Sequence, residues 1–344
     1  MKAVCMEKFG SRDVFSLQEV PKPEPREGEI RILIKASGFN PVDWKIREGW
    51  YGGKPPKILG MDCSGIVDAV GPNVTQFARG DEIYAMSFFR SSGGSYAEYV
   101  SIPVELVAKK PPNISFEEAA AVPLAAMTAY RATLAPPACK LGDVVFAAGI
   151  GGGVGIFAIQ FLRAAGVREI FTLAKDEISA QFLQEKLSIP RDHIVLYGNR
   201  THEELKEQLL SMNHGRLFDV TLDLVGGETK RLCLELTGYS GHFSTILPEQ
   251  DFAFPFWGEN DIPRARNLSV HQVAISAELG NDDRSYWQIY MRHLGLISEM
   301  LTRGELKPPC VQVVGPLNEK TVQQAHALLE AKRVKGKLVM VVEE

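Results

Sequence analysis

The chain has 344 residues, 45% hydrophobic and 23% charged, with a net charge of −4 and no long run of either sign. That length exceeds one ordinary core and suggests two domains, while the charge pattern leaves no electrostatic footprint for nucleic acid or for a membrane surface. No stretch reaches the roughly 18 apolar residues of a membrane-spanning helix, and five scattered cysteines without a CxxC pair suit reduced thiols better than a disulfide framework or a structural zinc lobe.

In chain order, MKAVCMEKFG reads as a short strand in place of a signal peptide, so the expected compartment is the cytoplasm. EIRILIK, Glu29 to Lys35, puts Ile30, Ile32 and Ile34 on one face at period two. GIVDAVG, EIYAM and SYAEYVSI follow between Gly, Pro and Asp-rich turns, which predicts a compact, barrel-like β-rich domain. Between these runs lies FNPVDWKIREGWYGG, 39–53, with more reactive and aromatic side chains than a connector requires.

Ser115 stands three residues before Glu118, a capping-box spacing, and opens a small-residue helix that Pro123 interrupts. From Asp143 onward, DVVFAA, EIFTLA, HIVL, FDVTLD and GHFSTI begin about 25 residues apart, the length of a strand plus a crossover helix, and predict the repeated βα units of a parallel sheet. NLSVHQVAIS is a candidate edge strand, a helix is expected from about Tyr286 to Leu301, and the tail from Cys310 reads strand, amphipathic helix, strand. That tail should return to the first sheet. The expected division is 1–124 with 285–344 as the β-rich substrate domain, and 125–284 as a doubly wound Rossmann domain.

AAGIGGGVGIFAIQF joins the first of these strands to its helix, with Gly149, Gly152 and Gly155 in a GxxGxxG spacing. Glycines there let the backbone turn sharply and approach a pyrophosphate at the helix N-terminus. Cofactor choice is read at the end of the next strand, TLAKD, where Ala174 followed by Lys175 can accept a 2′-phosphate and favours NADPH; Asp176 in that position would instead suit NADH.

NPVD at Asn40 to Asp43, GGSYAEY at Gly93 to Tyr99, EEAAAVPLAAMTAY at Glu117 to Tyr130, GGVG at Gly152 to Gly155, LDLVGGET at Leu222 to Thr229 and the terminal VKGKLV together resemble the medium-chain dehydrogenase/reductase superfamily. Within it they are most similar to the zinc-independent, zeta-crystallin-like quinone oxidoreductases. The resemblance implies a GroES-like catalytic domain beside the Rossmann domain. At the positions where zinc-dependent members carry metal ligands, this chain has Asn40, Met61 and Leu124, which implies chemistry without zinc. It implies hydride transfer from NADPH to a quinone or an activated enone or enal, with Asn40, Lys45 and Tyr51 on the substrate side. DWK at Asp43 to Lys45 is closer to a chloroplast branch that reduces reactive enones. Thr128, Gly149, Gly152, Gly153, Val154, Gly155, Lys175, Tyr197 and Lys337 are the implied cofactor contacts, and a homodimer paired through NLSVHQVAIS is the implied assembly. Asp223 is expected to organise backbone. Cleft walls are expected from SFFRSSGG and FPFWGEND. The alternatives are an enoyl-thioester reductase and a non-catalytic, NADPH-binding crystallin-like or regulatory protein.

Overall fold

The computed structural model describes residues 1–87, 91–134, 139–247, 262–332 and 334–343, so 88–90 of SFFRSSGG and all of FPFWGEND lie outside the described residues. Two compact units divide the chain, one of Met1–Met127 with Ser276–Glu344, the other of Thr128–Ile275.

The first unit begins with β1 (Lys2–Cys5) and β2 (Ser16–Glu19), an antiparallel pair. β3 (Glu29–Gly38) follows, with Ile30, Ile32 and Ile34 buried as the alternation requires. After α1 (Pro41–Arg47) come β4 (Asp62–Val70), β5 (Glu82–Met86), β6 (Tyr99–Pro103) and β7 (Val107–Lys109). α2 (Phe116–Ala120) starts on the expected capping box, where Ser115 and Glu118 each accept from the other's backbone N–H, and α3 (Pro123–Thr133) begins at the predicted interruption.

The second unit holds β8 (Val144–Ala148), α4 (Gly153–Ala164), β9 (Glu169–Ala174), α5 (Glu177–Leu187), β10 (Ile194–Leu196), α6 (His202–Met212), β11 (Phe218–Asp223), α7 (Glu228–Leu236), β12 (Thr237–Thr245), α8 (Ile262–Ala265) and β13 (Ser269–Gln272). Its six strands run parallel in the order β10-β9-β8-β11-β12-β13. Numbered within the unit this is 3-2-1-4-5-6, the doubly wound order whose ligand crevice opens at the switch point between the first and fourth strands. On one face Phe146, Phe171, Phe218 and Phe243 pack with Leu232 and Leu236 of α7. Thus β8 and β11, buried throughout apart from Asp219, form the rigid middle from which the site projects.

The chain then returns to the first unit through α9 (Gln288–Thr302), β14 (Val311–Pro316), α10 (Glu319–Glu330) and β15 (Lys337–Val341). α9 starts two residues later than the sequence suggests, because Asp283 caps a short 3₁₀ turn over Arg284–Trp287. β15 pairs antiparallel with β3, setting Val339 opposite Gly38, and this register carries Lys337 to the segment that follows β3. Val322 and Ala325 of α10 pack with Phe39, Tyr96, Leu338 and Met340 in one core. No helix among the described residues is long and apolar enough to cross a membrane.

Candidate active site

In the second unit the glycine-rich turn leaves β8 at the switch point. Gly149 has φ +85°, and a Cβ there would stand 2.7 Å from Val225 just past β11. At Gly155 a Cβ would stand 2.3 Å from the Ile150 Cα, so only glycine lets the first turn of α4 fold back on the loop. Gly152 differs. It caps α4 in an ordinary extended conformation, and a Cβ on it would meet only the Gly149 carbonyl at 3.8 Å. The protein's own packing accounts for Gly149 and Gly155, whereas the open space at Gly152, beside the free N–H groups of α4 that begin at Gly153 and Val154, has room for an anionic ligand. Asp223 organises backbone as expected: Oδ1 accepts from the N–H of Val225 and Gly226, and Oδ2 accepts from Thr245 Oγ1 at 2.8 Å.

At the end of β9, Ala174 is buried and Lys175 is exposed. Asp176 is the N-cap of α5, its Oδ1 accepting from Ser179 N at 2.8 Å, so its carboxylate already serves the helix. The backbone of Tyr197 bonds Ala174 O at 2.9 Å, and burial followed by the nearby Asp176 charge raises its phenol above the usual range. Lys175 and Tyr197, 22 positions apart in sequence, thus share one end of the sheet.

In the first unit a buried polar cluster forms around Asp62. Asn40 Nδ2 donates to Asp62 Oδ2 at 2.8 Å, and the backbone N–H of Leu124 donates to Asp62 Oδ1 at 2.8 Å. Lys337 Nζ donates to Asn40 Oδ1 at 2.6 Å, to Phe39 O at 3.0 Å and to Asp62 Oδ2 at 3.3 Å. An ammonium has three protons, and here three oxygens take them. Burial pushes the Asp62 carboxyl above its ordinary value, against the pull of Lys337 and Asn40.

Asn40 also opens α1, where its N–H donates to Asp43 Oδ2 at 2.8 Å. Asp43 is fully buried and accepts from Tyr96 Oη at 3.0 Å, while its Oδ1 has no hydrogen-bond partner among the described residues. Burial, reinforced by Asp62, raises the Asp43 carboxyl to about 7 despite the hydrogen bonds from Asn40 and Tyr96. Beyond Tyr96 the network continues through His326 Nε2 at 3.2 Å, and from His326 Nδ1 to Arg47 Nη1 at 3.3 Å. Burial and the guanidiniums of Arg47 and Arg12 press His326 down to about 3. A neutral ring accepting from Arg47 carries its proton on Nε2, which orients Tyr96 to donate to Asp43.

The two tryptophans of the 39–53 segment have a shared task. Trp44 and Trp50 meet edge to face at 5.1 Å, and Lys45 Nζ lies 5.3 Å from the Trp50 ring and 5.9 Å from Trp44. Tyr51 is exposed beside them. Thr128 is buried in α3. The structure therefore gathers Asn40 and Lys337 in one cluster and sets Lys45 and Tyr51 on one short segment. Lys337, an expected cofactor contact, has its ammonium bonded to Asn40, Phe39 and Asp62. Asp62, Asp43, Tyr96 and His326 escaped the sequence reading as a linked group, although GMDCSG offered a signal in an acid amid apolar strand residues.

These residues do not suit a zinc ion. The positions assigned to metal ligands supply an amide already bonded at both ends, the thioether of buried Met61, and Leu124, which contributes only a backbone N–H. Nearby Cys63 is buried, and its thiol is pushed far up by desolvation and by Asp62.

A doubly wound sheet with a glycine turn at its switch point, joined to a β-rich unit, defines a class of two-domain nucleotide-dependent dehydrogenases. Residues 26–112 match the alcohol dehydrogenase GroES-like domain, and residues 191–340 match the zinc-binding dehydrogenase domain. The chain belongs to the medium-chain dehydrogenase/reductase family. A quinone oxidoreductase of Lama guanicoe is 37% identical over 187 residues, 54% of this chain and 56% of that protein, so the match spans about half its length. The quinone oxidoreductase of Mus musculus is 26% identical over 99% of this chain and 97% of that one. A solved NAD-dependent alcohol dehydrogenase superposes with a TM-score of 0.80 at 29% identity, covering 100% of both chains.

Proposed function

We propose that the chain is an NADPH-dependent reductase of quinones or activated enones that works without zinc. The observation that carries this reading is the saturated ammonium of Lys337 among Asn40, Phe39 and Asp62, which closes the family's metal position with a cation of the chain's own. Oxidation of a simple alcohol needs a Lewis acid to hold the alkoxide, whereas a conjugated acceptor already has an electrophilic carbon. Bound NADPH would supply the hydride. Gly152, Gly153, Val154 and the N-terminus of α4 would bind the pyrophosphate, Lys175 would pair with the 2′-phosphate, and Tyr197 would pack beside it. The engagement of Asp176 as a helix cap supports NADPH over NADH. Thr128 would face the nicotinamide. Asn40, held by Asp62 and Lys337, would keep the substrate side rigid, and Lys45 and Tyr51 would hold the oxygen of the acceptor, with Lys45 as proton donor. β13, the last strand of the parallel sheet among the described residues, is the proposed pairing strand of a homodimer.

NADPH consumption, followed by absorbance with a quinone, a short enone and an enoyl thioester in parallel, tests the reading. Turnover of a quinone or enone, faster with NADPH than with NADH, is expected. Preference for the thioester would make the chain an enoyl reductase, and tight NADPH binding without turnover of any of the three would make it a binding protein.

A further inference from the structure

Strands β12 and β13 carry three polar atoms that are buried and have no hydrogen-bond partner among the described residues: His242 Nδ1, Ser244 Oγ and His271 Nε2. Strand register places all three side chains on one face of the sheet. β12 and β13 run parallel with His242 opposite Ser269 and Ser244 opposite His271, and residues two apart in a strand point the same way. Ser244 is fully buried, and both imidazoles are half-buried. A buried polar atom without a partner is uncommon, and three on neighbouring positions call for a shared guest.

The ring centres of His242 and His271 are 6.1 Å apart and inclined at 43°. Two imidazoles sharing one ion at metal–nitrogen distances of about 2.1 Å, with each nitrogen ~1.1 Å from its ring centre, place those centres about 5.2 Å apart at a tetrahedral angle and about 6.4 Å apart when linear. The observed spacing lies inside that window. Burial lowers both imidazoles below their ordinary value, so each ring is neutral near pH 7 and keeps a lone pair for a metal. Lys140 and Asp143 act on His242 in opposite directions, and the charged group acting on His271 is His242 itself.

We propose that His242 and His271, with Ser244 as an oxygen neighbour, form a site for a divalent transition cation of the zinc class, separate from the residues assigned to the reductase chemistry. Imidazole nitrogen is the ligand such ions share, and water would complete the coordination. A second cluster, His202, Glu203 and Glu235, is a weaker claimant and serves as a control. Glu235 is already bonded by Lys206 at 2.8 Å and Arg231 at 2.9 Å, so a metal there would have to displace two cations.

Calorimetric titration of the full chain with Zn²⁺ in chelator-free buffer tests the site. One ion per chain is expected, with affinity reduced at least tenfold by His242→Gln and by His271→Gln and unchanged by His202→Ala. Crystals soaked in zinc give a second reading that needs no variant, because anomalous density should lie between the two rings. Absence of binding, binding that survives both glutamine substitutions, or density at Glu235 or beside Asn40 would overturn the proposal.

Discussion

The glycine turn of the second unit and the polar cluster of the first are built by opposite means. The turn works through backbone: Gly155 lets the first turn of α4 approach the Ile150 main chain, and Gly149 takes a positive φ close against the Val225 side chain. The cluster is built around side chains from three separate segments, Asn40, Asp62 and Lys337, with the backbone N–H of Leu124 from a fourth, brought together only when β15 returns to β3. A backbone site is local and carries a sequence signature, whereas a buried side-chain site depends on tertiary register.

If that contrast is right, the glycines should separate sharply under substitution. Gly155→Val should have the largest effect, on the order of 4 kcal/mol or more, because its side chain must enter the Ile150 backbone; thermal unfolding would detect it. Lys337→Met should rank next. It strands Asp62 in the interior at about 3–5 kcal/mol, and Lys337→Met with Asp62→Asn should recover most of the loss. Recovery would show that the two are one unit; additive losses would break the cluster account.

Asp43 gives a pH signature to the same region. Its carboxyl is raised to about 7 in the folded chain against about 4 unfolded, so the folded state holds the proton more tightly. Its contribution is therefore full below pH ~4 and is lost as pH rises through ~7, on the order of 4 kcal/mol in all. His326 works the other way, because a ring pressed down to about 3 gains stability as pH rises toward its unfolded value of about 6.5. The difference between wild type and Asp43→Asn isolates the first effect: wild type should lose stability relative to the variant between pH 5 and 8, read from melting curves. A pH-independent difference would mean that Asp43 stays charged throughout.

The smallest expected effect is the most selective. Gly152→Ala should leave the melting temperature within a degree or two, since its Cβ enters open space, yet weaken NADPH binding about tenfold, or ~1.4 kcal/mol. A large loss of stability would return Gly152 to the packing glycines and remove the argument for an anion beside it.

Much of this was legible in the sequence. Period-two alternation marked β3, the Ser115 to Glu118 spacing marked α2, and the recurrence of apolar runs marked the parallel sheet, because each depends on residues within one element. The glycine turn was legible for the same reason. What escaped was connectivity among buried charges. Nothing near GMDCSG indicates that Asp62 will meet an ammonium 275 positions later, nor that Asp43 will share Tyr96 with His326. Lys337 shows the limit from the other side: its position in KGK drew attention, but its partners are set by the pairing of β15 with β3.

The central claim is that the cation of the substrate side is Lys337 and that reduction proceeds without zinc. Its most direct test is the rate of NADPH-dependent quinone or enone reduction by chelator-treated protein, compared with the same protein reloaded with zinc. The account predicts equal rates, whatever zinc the His242 and His271 pair takes up. A rate that falls with the chelator and returns with zinc would contradict it.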